Sequence, residues 1–236
     1  MTLRDAWEAE ALNWVAWARA PGHDSYWQFH RDRFLSLLPP PPAAVLDVGC
    51  GEGRLPRDLK ALGYRVSGVD GSPTLIGHAT EADPDGDYRV ADAAQLSFDD
   101  ASFAVVTAFM SLQDVDDLDG AANEIARVLA PGGHACVAVV HPLNSGGLFE
   151  EHRPDAPFVI RDSYLETRRY AEDVERDGLR MKFSSYHRPL QDYVGALTAG
   201  GLLVEQILEI PDDTVPLGTR WQRVPLFLHL RAVKSP

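Results

Sequence analysis

The stretch VLDVGCGEGRL, from Val45 to Leu55, sets glycines at alternate positions, Gly49, Gly51 and Gly53, directly after an apolar run. Glycines at that place let a backbone turn tightly and come close to a ligand. The spacing narrows the ligand. A dinucleotide fingerprint reads G-x-G-x-x-G and seats a pyrophosphate on the following helix. Here the pattern is G-x-G-x-G, and Glu52 stands between the last two glycines. A carboxylate there would repel a pyrophosphate. Further on, GVDGS carries Asp70, 17 residues after Gly53. A carboxylate at a strand end can accept hydrogen bonds from both hydroxyls of a ribose. The next apolar segment leads into Asp92 and Ala93, where a second carboxylate could accept from an adenine amino group. A glycine loop, two acids and no phosphate cradle describe a nucleoside with a cationic or zwitterionic tail.

These residues need a scaffold that brings strand ends together. Helical spacing covers Ala6–Ala20 and resumes over His23–Leu38, up to Pro39-Pro40-Pro41-Pro42, a stiff spacer. Strands are expected at Ala44–Val48, Tyr64–Val69, Asp87–Val90, Phe103–Phe109 and His134–Val140. Helices are expected at Arg54–Leu62, Ser72–Ala79 and Leu118–Val128, the last ended by Ala130-Pro131-Gly132-Gly133. Apolar strands alternating with helices predict a parallel sheet covered on both faces, an α/β doubly wound fold. Residues 144–188 break that rhythm and read as a lid or substrate insertion, with a hairpin in Tyr164–Phe183 turning at Asp177-Gly178. A helix at Leu190–Ala199 and strands at Leu202–Ile210 and Val224–Val233 close the chain. The organisation expected is one domain: a helical cap over 1–42, a ligand-binding core over 43–143, the insertion, and a C-terminal helix with two strands over 189–236.

Composition excludes several partners. The net charge is −13, from 22 Lys+Arg against 35 Asp+Glu. An acidic surface repels phosphate backbones, so nucleic acid is not expected. The two cysteines, Cys50 and Cys136, show no CxxC or Cys/His ligand spacing, so no metal site is expected. They also imply no disulfide framework, which fits a cytoplasmic protein. No apolar run reaches the length of a membrane span.

VLDVGCGEG, GVDGS, VADAAQLSF and IARVLAPGGHACVAVVHP, in that order, resemble the successive motifs of class I S-adenosylmethionine-dependent methyltransferases. The resemblance covers about residues 44 to 142. HRPLQDYVGALTAGGL extends it more weakly toward the small-molecule branch. It implies a Rossmann-like seven-stranded sheet whose last strand is antiparallel beside the fifth, and S-adenosylmethionine as cofactor. It implies roles residue by residue. Asp47 would reach the methionine amino group. Gly49, Cys50 and Gly51 would line the methionine and ribose, and Asp70 would hold the ribose. Gly71 and Ser72 would flank the adenine, with Asp92 and Ala93 bonding it. Phe109 would lie near the methionine, and Tyr26 in the roof above it. One departure is Phe103-Ala104, where such chains often carry Phe-Asp.

The acceptor side is less legible. His141 follows the fifth strand, and His187 precedes the late helix; either could take a proton from a substrate. Trp14, Trp27 and Tyr186 are candidates to line the acceptor. Asp114, Asp116 and Asp117 read as charge at a helix N-terminus. The expected reaction is methyl transfer to an O, N or C atom of a small molecule, with a homodimer left open. Two rival classes stand beside it: a cofactor binder without transfer, and another reaction on the same scaffold, such as cyclisation, elimination or decarboxylation.

Overall fold

A computed structural model describes residues 1–214 and 219–235. The chain opens with α1 (Leu3–Arg19), capped by Thr2, whose hydroxyl accepts from the Asp5 amide while Asp5 returns a bond to Thr2. A π-helical turn (Tyr26–His30) runs into the short α2 (Arg31–Leu35). The single helix expected over His23–Leu38 is therefore shorter and wider-turned at its start. Then the alternation begins: β1 (Ala44–Val48), α3 (Arg54–Ala61), β2 (Arg65–Asp70), α4 (Pro73–Ala82), β3 (Asp87–Val90), β4 (Phe103–Phe109), α5 (Leu118–Val128) and β5 (Leu129–Val140). β5 starts five residues earlier than expected. The Pro-Gly-Gly that ends α5 is carried inside the strand, where its pairing with β4 shifts register between Phe103 and Val105.

After β5 come α6 (Pro142–Gly146), the two-residue strands β6 (Leu148–Phe149) and β7 (Phe158–Val159), and a long hairpin of β8 (Arg168–Arg176) and β9 (Leu179–His187). Asp177 and Gly178 form its turn, both at positive φ (52° and 79°), as a two-residue hairpin turn requires. α7 (Leu190–Ala199), β10 (Leu202–Ile210) and β11 (Phe227–Lys234) finish the fold. Residues 215–218, within the loop expected between the last two strands, lie outside the described residues.

The main sheet has seven strands in the order β3-β2-β1-β4-β5-β11-β10. β3 to β5 are parallel, and β11 enters antiparallel between β5 and β10. This is the expected doubly wound fold with its antiparallel last strand. The period-2 pattern assigns the two faces. Leu46, Val48, Val106 and Ala108 face a core shared with Ile125 of α5 and Tyr193 of α7. Val45, Val105 and Phe109 face a second core with Phe34, Leu55 and Leu59. β1 has β2 on one side and β4 on the other. Strand order reverses there, and a crevice opens at the carboxyl ends of β1 and β4.

Two elements roof that crevice. The β8–β9 hairpin leaves the sheet and packs against α1, with Trp7, Trp14 and Trp17 edge-on to Phe183 at 5.8–6.4 Å. The Trp7 indole N–H donates to the Ser184 carbonyl at 3.1 Å. α1 is fastened to the floor as well: Glu8 accepts from Ser72 and Thr74, and Arg4 donates to the Gly71 carbonyl at 2.9 Å.

Candidate functional site

The crevice and its roof enclose a cavity of about 670 Å³. Asp47, Gly49, Cys50, Gly51, Asp70, Gly71, Ser72, Asp92, Ala93, Phe109 and Trp14 all line it. The glycine loop joins β1 to α3. Gly49, Gly51 and Gly53 have φ of 76°, 56° and 83°, which explains why each is glycine. They differ in surroundings. A Cβ on Gly49 would lie 2.3 Å from Cβ of Ser111, in the loop after β4, so this glycine serves loop-to-loop packing. A Cβ on Gly51 would meet Trp14 of the roof at 3.4 Å. The Cys50 side chain turns away to pack on Gly68 of β2, whose added Cβ would sit 2.9 Å from Sγ. Burial pushes the Cys50 thiol well above its usual range.

Asp47 is almost fully buried and accepts from the Thr107 hydroxyl of β4 at 2.7 Å. Burial raises its pKa to about 7, against the downward pulls of that hydroxyl and of Arg54. Asp70 accepts from the Gly51 amide on one oxygen at 2.9 Å and the Ser72 amide on the other at 2.8 Å. Each carboxylate oxygen keeps a further lone pair, so the group can hold the loop and still take ligand hydroxyls. Burial raises its pKa, and the two amides oppose that rise. Ser72 caps α4 by accepting from the Leu75 amide and donates to Glu8, so its hydroxyl is committed to structure. Asp92 is exposed at the rim. One of its oxygens accepts from the Ala94 amide at 2.9 Å, and the bracketing loop closes through its bridge to Gln95.

Five residues expected at the site do not line the cavity. Tyr26 is buried beneath it, its hydroxyl donating to Asp58 at 2.6 Å and its ring against Phe109. Trp27 is 58% exposed, under the guanidinium of Arg31. Tyr186 is held between Arg169 and Arg188. His141 caps α6: Nδ1 accepts from the Leu143 amide at 3.0 Å, which leaves the proton on Nε2 for Glu209 at 3.1 Å. His187 is fully buried, with Nε2 donating to the Tyr164 carbonyl at 2.9 Å and Nδ1 accepting from Ser145 at 2.8 Å. Burial lowers the pKa of both histidines. A histidine with both nitrogens engaged has no atom to offer a substrate.

Other residues take the vacated places. Asp114 sits in the 3-10 turn after β4 and lines the cavity. It accepts from Ser185 of β9 at 2.6 Å, and burial pushes its pKa up to about 8. Its neighbour Asp117 is the true cap of α5, accepting from the Gly120 amide at 2.8 Å. The reading of helix-terminal charge suits Asp117 and not Asp114. Arg188 clamps the turn from behind by donating to the carbonyls of Leu112, Gln113 and Val115. Gln113, Tyr170, Phe183 and Arg54 also line the cavity. No spacing signal marks the hairpin residues, because β9 is two-faced and only its pairing with α1 shows which face turns inward. Asp114 carried one local signal, an acid two residues past a buried apolar turn at a strand's carboxyl end.

The family described as Methyltransf_11, a methyltransferase domain, matches residues 46–137. The 2-methyl-6-phytyl-1,4-hydroquinone methyltransferase of Synechocystis sp. is 42% identical over 103 residues, which are 42% of this chain and 32% of that protein. The ubiquinone biosynthesis O-methyltransferase of Xanthomonas axonopodis pv. citri is 38% identical over 101 residues, 41% of this chain and 42% of its own. The chain thus spans less than half the length of these curated relatives. A solved S-adenosylmethionine-dependent methyltransferase from Mesorhizobium loti matches with a TM-score of 0.71 at 23% identity, covering 86% of this chain and 96% of its own. The chain therefore has the fold of that solved methyltransferase, and its residues 46–137 match the methyltransferase-domain family.

Proposed function

We propose that this protein transfers a methyl group from S-adenosylmethionine to an O, N or C atom of a small molecule. The observation that carries the reading is one cavity in which the glycine loop, Asp47, Asp70 and Asp92 share walls with a polar far side built by Asp114 and the hairpin. These groups fit the cofactor. Asp70 would take the ribose hydroxyls with the lone pairs its two amides leave free. Asp92 would take the adenine amine with its unbonded oxygen, Ala93 offers a backbone amide beside it, and Asp47 faces the methionine end. When bound, the sulfonium supplies an already activated methyl, displaced in line as the electron pair returns to sulfur. The protein's share is then alignment and exclusion of water, and alignment is worth roughly 7–11 kcal/mol in favourable cases. The roof of α1 and the hairpin supplies the exclusion.

Asp114, rather than either histidine, is the group placed to receive the acceptor's proton. Its Oδ1 is held by Ser185, and its carboxyl faces the cavity. Burial favours its protonated form. A cation alongside shifts it toward the carboxylate. A net charge of −13 supports small molecules rather than nucleic acid as substrates, the two buried free cysteines support a cytoplasmic protein, and among the described residues no helix is long and apolar enough to cross a membrane. The test is product analysis. The protein is incubated with methyl-labelled S-adenosylmethionine and a panel of phenols, amines, carboxylic acids and carbon acids. Acceptor-dependent release of S-adenosylhomocysteine with label in the acceptor is expected. Cofactor consumed to other products, or an unmethylated acceptor changed in skeleton, would overturn methyl transfer.

A further inference from the structure

Arg54 is the first residue of α3 and lines the cavity from the glycine loop. Its guanidinium carbon lies 5.9, 5.4 and 5.7 Å from the ring centroids of Trp14, Tyr26 and Phe109. Nη1 donates to Asp24 at 2.6 Å. Among the described residues Nε is buried without a partner, and so is the other oxygen of Asp24. A guanidinium carries five N–H donors in a planar fork, and a buried donor left unmade is costly. This ion pair is therefore half satisfied, inside an aromatic enclosure where charge is poorly screened. Glu52, its loop neighbour, offers no relief, because Arg57 and Arg19 take both of its oxygens. Among the described residues the two arginines that line the cavity are Arg4 and Arg54. Arg4 holds the Gly71 carbonyl through Nε at 2.9 Å, beside β2 and away from Asp47.

The two ends of the cavity thus carry different chemistry. Beyond β2 and β3 stand Asp70 and Asp92, both hydrogen-bond acceptors for hydroxyls and amines. On the β4 side stand Asp47 and Arg54, one acid and one base, close enough for the Arg54 charge to draw on the Asp47 carboxyl. An acid beside a base recognises a zwitterion. We infer that Arg54 binds the α-carboxylate of the cofactor's amino-acid end, leaving Asp47 to its ammonium. This rests on the cofactor reading above. A carboxylate accepts from the guanidinium fork in two parallel bonds, a geometry an ammonium cannot match. It completes the donors that Asp24 leaves unused, and the aromatic rings around them keep water from competing. Arg54 is a binding residue and takes no part in moving the methyl.

The test pairs two ligands with two side chains by calorimetry. Wild type should bind S-adenosylhomocysteine about 10- to 100-fold more tightly than decarboxylated S-adenosylhomocysteine, the size of a lost charged hydrogen-bond pair. Arg54→Gln should weaken S-adenosylhomocysteine by about the same factor and leave the decarboxylated ligand within about threefold. Arg54→Lys should restore part of the preference. Asp24 would be left unpaired by Arg54→Gln, so Asp24→Asn/Arg54→Gln, a neutral pair, is measured beside it with thermal melts of each. Equal weakening of both ligands, or no weakening of either, overturns the assignment while leaving the cofactor site standing. Failure of wild type to bind either ligand overturns the cofactor reading itself.

Discussion

The floor and the roof of the cavity are built on opposite principles. The floor is made by backbone: three glycines at positive φ and strand-end acids whose oxygens are partly taken by amides of the same loops. The roof is made by side chains. Trp7, Trp14 and Trp17 meet Phe183 edge-on, and single bonds such as Ser185 to Asp114 tie the hairpin to the core. A floor of that kind tolerates little change at any one position, because φ and amide geometry are fixed by the turn. A roof of large rings can exchange one packing for another at small cost. The floor is then suited to a ligand of constant chemistry and the roof to one that differs between proteins.

That contrast can be broken at several points, the largest effect first. Asp114→Asn, on the acceptor side, should lower methyl transfer by about 10²–10⁴-fold, the range of a lost general base, with S-adenosylhomocysteine affinity within about threefold of wild type. His141→Gln under the same assay should change transfer by less than about threefold, since its nitrogens serve α6 and Glu209. A large loss from His141→Gln alone would put the proton elsewhere than Asp114.

Within the floor, Gly49→Ala forces a Cβ to 2.3 Å from Ser111 at a φ of 76°. It should cost about 2–4 kcal/mol in urea denaturation, as overpacking and strained backbone together do. Gly51→Ala meets only Trp14 at 3.4 Å. It should cost about 1 kcal/mol, the strain of a positive φ alone. Equal costs at the two positions would remove the distinction between a packing glycine and a ligand-facing one.

The floor also carries a pH dependence. Burial disfavours the Asp47 charge and raises its pKa to about 7. A carboxyl raised in the folded state stabilises the protein at low pH, and that stability is lost as pH rises through about 7. Ligand binding runs the other way, because the ammonium and sulfonium favour the carboxylate. S-adenosylmethionine affinity should therefore fall up to about tenfold per unit as pH drops below 7. Asp47→Asn should flatten the calorimetric profile by one proton.

The same contrast explains what was readable beforehand. The parallel strands announced themselves as apolar runs, and the glycines and Asp70 as strand-end chemistry, because backbone demands leave marks at fixed spacing. The antiparallel β11 followed from the family resemblance and from two C-terminal strands in the right number. The roof showed its elements, the first helix and the Asp177-Gly178 hairpin turn, but not which of its side chains face the cavity. Tyr26 and Trp27 lie on one short turn, and the π-helical register there sends one ring under Phe109 and the other to solvent. His141 was expected at the cavity because it follows a strand, yet Pro142 starts a helix at once and turns the imidazole into its cap. Arg54 was hidden in plain view beside the glycines, since only the fold shows that its Nε is buried with no partner among the described residues.

The most direct test of the central claim is calorimetric titration of S-adenosylmethionine and S-adenosylhomocysteine into ligand-stripped wild type and Asp70→Ala. Wild type should bind, and affinity should fall about 100-fold or more in the variant, which gives up the ribose bonds and leaves the Gly51 and Ser72 amides without their acceptor. Folded wild type that binds neither compound would contradict the claim.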